Sequence, residues 1–126
     1  MRRAVTPAAL VAFGASYVVL GAWAGVHAAS FTEAVADFGP PNDHLVHDYG
    51  AASVAVGGGL LLAVRRPGWW LPVLAVAAIW NALHTVSHLV GIDQAGSRAL
   101  GVAEAVVLFA STVLLAGLAT MAREEP

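Results

Sequence analysis

Residues 43–64 read DHLVHDYGAASVAVGGGLLLAV and residues 69–90 read WWLPVLAVAAIWNALHTVSHLV, with only Arg65-Arg66-Pro67-Gly68 between them. Each run is about 20 residues long, the length a helix needs to cross about 30 Å of hydrocarbon. Backbone polar groups in lipid must be paired within their own segment, so both runs are expected to be helices. Joined by so short a turn, they are antiparallel. The His-x-x-His-Asp that opens the first (His44, His47, Asp48) then meets the Asn-x-x-His-x-x-x-His that closes the second (Asn81, His84, His88). His47 lies 18 residues before Arg65 and His84 lies 18 residues after Arg66. At 1.5 Å per residue, both sit roughly 27 Å from the turn.

Two further apolar runs complete the chain, so that spans are expected at about 7–29, 44–64, 69–90 and 99–121 in a single all-α, four-helix membrane domain. Composition agrees: of 126 residues, 59% are hydrophobic and 11% charged, where a soluble domain carries about 25% charged residues. There is no Cys, which excludes disulfides, thiolate metal sites and thiol nucleophiles. Net charge is −2, and no basic stripe is present, which argues against nucleic acid as a partner. The expected surroundings are the lipid bilayer, with a homo-oligomer or a larger membrane complex favoured by the Gly/Ala-rich helix faces. The motif Gly21-x-x-x-Gly25 and the run Gly57-Gly58-Gly59 are expected to let helix backbones approach closely.

The arginines set the orientation. Arg2, Arg3, Arg65, Arg66 and Arg123 fall on one side and only Arg98 on the other. By the positive-inside rule both termini and the 65–68 turn are cytoplasmic, in the plasma or inner membrane, and the 30–43 and 91–98 loops face the extracytoplasmic side. The first run follows Met1-Arg2-Arg3, and Val26-His27-Ala28 resembles a cleavage site. Its apolar core exceeds the 7–15 residues usual for a signal peptide, so a retained helix is expected. In the loop, Ser30-x-x-Glu33 fits a capping box with Ser30 as N-cap. Phe31, Ala34, Val35 and Phe38 then recur at helical spacing, as in a short interfacial helix. Such a segment serves either as a lid over the histidines or as a plain connector. Asn42 or Asp43 is expected to cap the next helix.

All five histidines fall at the extracytoplasmic end of this arrangement. Glu104, 19 residues before Arg123, sits at the same depth, roughly 28 Å from the inner boundary. Ionisable residues inside a span are costly and usually face the bundle interior with a partner. The chemistry that suits this set is transition-metal binding, with zinc or iron foremost and copper a further candidate. The expected ligands are His44, His47, His84, His88, Asp48 and Glu104. Asn81 and His27 are placed to orient a ligating ring, His27 being the least specific of the set. Such a site would serve a hydrolase, an oxidoreductase, or metal sensing and delivery, and the sequence does not separate catalysis from binding. A histidine–carboxylate hydrogen-bond network without metal, in an accessory subunit, satisfies the same groups. Bis-histidine b-type haem ranks below both, since four histidines exceed its needs and only Arg98 is near for propionates.

The layout resembles the small four-helix bacterial membrane proteins of the DoxX-like and DUF4345-like kind. It shares with them four spans in this length, the polar opening of the second helix from Asn42-Asp43-His44 to Asp48-Tyr49-Gly50, and the glycine run that follows. The resemblance covers the whole chain as architecture. It implies a fold rather than an activity, since most members are uncharacterised.

Overall fold

The computed structural model describes residues 2–123. Five α-helices account for nearly all of them: α1 (Arg2–Val26), α2 (Ala28–Ala34), α3 (Asp43–Ala63), α4 (Trp70–Val90) and α5 (Arg98–Arg123). All but the short α2 are long and apolar enough to cross a membrane. Their outward faces carry Val19, Leu62, Ile79, Leu83, Val106 and Phe109, each at least 60% exposed. Apolar surface of that extent belongs in lipid, where it needs no cover. Four such helices suggest a multi-pass membrane protein.

The helices form two antiparallel hairpins. α1 packs along α3, and α4 packs along α5. Contact in the first hairpin is backbone to backbone. A Cβ built on Gly57 would lie 2.7 Å from the Gly14 carbonyl, and one on Gly21 would lie 2.7 Å from the Gly50 carbonyl. The two pairs are seven residues apart on each helix, so both fall on one face two turns apart. Lipid supplies no hydrophobic drive for association, and close backbone approach takes its place. The glycine expectation holds for Gly21 and Gly57, and for the Gly25 backbone, whose N would lie 2.9 Å from a Cβ on Gly50; it needs correction for Gly58 and Gly59. A Cβ on Gly25, Gly58 or Gly59 would meet nothing within 4 Å. Gly14 and Gly50 are the partners that GxxxG spacing within one helix does not find, because the match is made between helices.

The hairpins meet at the end of the bundle that carries Arg65 and Arg66. There Leu10, Leu60, Leu74 and Leu115, one from each long helix, are fully buried in one core with Trp70 and Leu118. The turn between hairpins is tight. Pro67 opens a single 3-10 turn, and Trp70 Nε1 donates to the Ala63 carbonyl (3.0 Å), pairing an α3 C-terminal acceptor. At the opposite, histidine-bearing end, α1, α2 and α3 share a separate cluster of Ala24, Ala28, Phe31 and Val46, which α4 and α5 do not join. The hairpins therefore diverge towards that end.

A polar knot ties them together at mid-depth. Asn81 of α4 is buried and fully bonded. Its Oδ1 accepts from Tyr17 Oη of α1 (2.8 Å), and its Nδ2 donates to the Leu108 carbonyl (2.7 Å) and Thr112 Oγ1 (2.8 Å) of α5. Thr85 Oγ1 donates to the Asn81 carbonyl at 2.7 Å. Every polar atom of the Asn81 side chain is occupied among helices, as burial requires.

The loops at the histidine end depart from expectation in two respects. α2 begins at Ala28 with His27 as its N-cap residue, so Ser30 lies inside the helix and the Ser30/Glu33 capping box is not formed. Instead Ser30 Oγ accepts from Trp23 Nε1 (2.9 Å) and donates to the His27 carbonyl (3.0 Å). Edge-on packing of Trp23 against Phe31, at 5.4 Å between centroids, fixes the same corner. The helix stops at Ala34, and Phe38 belongs to the strap that follows. The strap is fastened to the second loop: Gly39 N donates to the Gln94 carbonyl (3.1 Å) and Gly96 N to the Asp37 carbonyl (2.8 Å), around an antiparallel bridge of Phe38 with Ala95. Gly39 sits at φ +69°, which only glycine adopts readily. Asn42 caps α3 as expected, its side chain accepting from Leu45 N at 3.1 Å.

Candidate functional site

Divergence of the hairpins leaves a cavity of about 990 Å³ at the histidine end. α3 forms one wall through Leu45, Tyr49 and Ala52, while α4 and α5 form the other through Trp80, His84, His88, Glu104 and Val107. α2 and the strap roof it with Phe31, Val35 and Phe38. The Asn81 knot lies one helical turn below His84, and Leu108, whose carbonyl it bonds, borders the cavity.

His84 stands in an aromatic stack, 5.3 Å from Tyr49 and 6.2 Å from Trp80 between ring centroids. The Trp80-x-x-x-His84-x-x-x-His88 spacing puts three rings in a ladder up one face of α4. His88 meets His84 edge-on at 4.7 Å, and Phe38 of the strap closes on His88 at 4.6 Å. The strap thus covers the upper histidine. His88 Nδ1 lies 3.5 Å from Glu104 Oε2 of α5, with the two side chains 15% and 17% exposed. Neither atom has a hydrogen-bond partner, although both are buried.

The expected ligands therefore divide. His84, His88, Glu104 and Asp48 border the cavity. His44 does not: its side chain is 89% exposed, with Nε2 3.6 Å from Asp48 Oδ2 in a surface pair that contributes little. His47 is exposed and off the cavity wall, and so is His27. The cause is the glycine contact. α3 turns its Val46–Gly50–Ser53–Gly57–Leu60 stripe to its neighbours, and at 100° per residue His44 falls on the opposite side, while Asp48 still reaches the cavity edge beside Tyr49 and Ala52. Asn81 spends its side chain on Tyr17, Leu108 and Thr112 and turns no atom to a histidine ring. Among the described residues, no group of three or more His, Asp or Glu side chains is placed to hold a metal ion.

Four aromatic residues complete the site beyond those read as its chemistry: Phe31, Phe38, Tyr49 and Trp80. The i,i+4 relation of Trp80 to His84 was the available signal for one of them. A scan of protein-family models and searches of curated proteins and of solved structures each find no match to this chain.

Proposed function

We propose that the protein binds an apolar small molecule between its two hairpins, in a cell membrane, with both termini cytoplasmic and the cavity towards the extracytoplasmic side. The observation that carries this reading is the cavity itself. Its volume of about 990 Å³ falls in the range of small-molecule sites, roughly 300–1,000 Å³, and its wall has their make-up: apolar and aromatic, with a few convergent polar groups. The five-to-one distribution of arginines supports the orientation.

Filling the cavity tests the binding. Ala52 faces it and is half-buried. Ala52→Trp is expected to weaken uptake of the uncharged fluorophore N-phenylnaphthylamine by about tenfold or more, with the melting temperature in mild detergent unchanged. Emission that never saturates, or that is the same in the variant, would show simple partition into detergent and end the reading. One equivalent of zinc or iron retained by the purified protein would return the site to metal chemistry, with His84, His88 and Glu104 as its ligands.

Orientation is tested by labelling, which the absence of native cysteine makes clean. Asp93→Cys in the loop between α4 and α5 should react with an impermeant maleimide added to intact cells. Gly68→Cys in the turn between hairpins should react only after lysis. The reverse pattern overturns the orientation.

A further inference from the structure

The cavity wall carries charge of one sign. Two carboxylates, Asp48 and Glu104, border it. Among the described residues no arginine does, and the chain has no lysine. The same bias holds for the whole end of the molecule. Six of the eight carboxylates fall there, at Glu33, Asp37, Asp43, Asp48, Asp93 and Glu104, against one of the six arginines, Arg98. The rule that places arginines on the cytoplasmic side is nearly indifferent to Asp and Glu, so orientation does not account for the acids. The field summed over this end draws positive ligands and repels negative ones.

Glu104 is the carboxylate inside. The Asp48 side chain is 65% exposed, and water screens it. That of Glu104 is 17% exposed, in the wall formed by α4 and α5. Its Oε2 is closed off against His88 Nδ1, 3.5 Å away, whereas Oε1 is not closed off. An imidazole is mostly neutral at pH 7, so His88 steadies the carboxylate without cancelling its charge. The wall continues from Glu104 with Val107 and Leu108 of α5 and Phe38 of the strap. A charge held in such surroundings is costly without a partner of opposite sign.

We propose that the cavity takes a lipophilic organic cation, an apolar body bearing one positive charge, with that charge set beside Glu104 Oε1. This rests on the cavity reading above and names its cargo. A charge embedded in carbon suits these walls better than a primary ammonium, whose three N–H donors would each need an acceptor. A quaternary ammonium or a phosphonium has no such donor. Aromatic side chains are the apolar groups that attract a positive charge, and Phe31, Phe38, Tyr49 and Trp80 all border the cavity. An anion would meet carboxylates and no fixed cation.

Three molecules of one shape and different charge test this: tetraphenylphosphonium (positive), tetraphenylsilane (neutral) and tetraphenylborate (negative). Each is titrated against bound N-phenylnaphthylamine in a nonionic detergent and corrected for its partition into protein-free micelles. In the wild type the phosphonium should displace the probe at about tenfold lower concentration than the silane, with the borate weakest. In Glu104→Gln the ratio of silane to phosphonium should fall to about two or less. In Asp48→Asn it should stay within about twofold of the wild type. Because the ratio is taken within each protein, a change in stability does not mimic it. Should Glu104→Gln not fold, the wild-type comparison decides. Phosphonium and silane acting equally on the wild type overturns the cation assignment and leaves the cavity reading intact, and so does a borate that acts best. An unchanged ratio in Glu104→Gln overturns the placement of the charge beside that residue. Failure of all three to displace the probe removes the cavity reading and this assignment with it.

Discussion

Gly57→Leu is expected to unfold the first hairpin. The new Cβ alone would lie 2.7 Å from the Gly14 carbonyl, 2.8 Å from Tyr17 Cβ and 2.9 Å from Val18 N. Two of these obstacles are main chain and cannot swing aside as a flexible side chain does. Overpacking a core costs about 1–3 kcal/mol even where side chains can yield. Here α1 and α3 must separate, and the Gly21–Gly50 contact two turns away opens with them. A loss above about 3 kcal/mol is expected by that reasoning. The neighbouring Gly58→Leu is the control, since nothing lies within 4 Å of its Cβ position. It should change stability by no more than about 0.5 kcal/mol. Unfolding of both variants by SDS titration in mixed micelles checks the pair. Equal tolerance at the two positions would show that α1 and α3 do not touch through these glycines.

Asn81→Leu should be the next most damaging single change. It removes three side-chain hydrogen bonds that join α1, α4 and α5. Hydrogen bonds between membrane helices average about 0.6 kcal/mol and reach about 1.7. The orphaned Tyr17 hydroxyl adds the cost of an unsatisfied buried group, about 1–3 kcal/mol. The expected loss is about 2–4 kcal/mol on these figures. Tyr17→Phe removes one bond and leaves the buried Asn81 Oδ1 without a donor, while both Nδ2 bonds remain, so it should cost about 1–2 kcal/mol. The same titration measures both. A Tyr17→Phe loss as large as that of Asn81→Leu would mean that the bond to α1 carries the knot, and the bonds to α5 little.

Most of the architecture was legible because lipid makes it so. With no water to satisfy the backbone, an apolar run of the right length has one structure open to it, and the boundaries of α3 at Asp43–Ala63 and α4 at Trp70–Val90 follow those of the runs within a residue or two. What periodicity leaves open is rotation about each helix axis. His44, His47 and Asp48 share a face by their spacing, and so do Gly50 and Gly57. Only the second set has a backbone to meet, and that contact points His44 and His47 away from the cavity, leaving Asp48 at its edge. On α4 and α5 the reading of depth succeeded better. Glu104, expected level with His84, meets His88 one turn higher at 3.5 Å, and because α4 and α5 pack together, near-level became proximity. Ser30 shows the limit of local pattern: its hydroxyl finds Trp23 on the preceding helix, a partner that the four-residue capping signature does not contain.

The fastening between the two loops is built from peptide groups alone: Gly39 to Gln94, and Gly96 to Asp37. Peptide groups neither ionise nor attract counterions. The bonds of such a clasp carry no charge of their own, and what protons can alter there is only the Asp37 carboxylate that lies against Gly96.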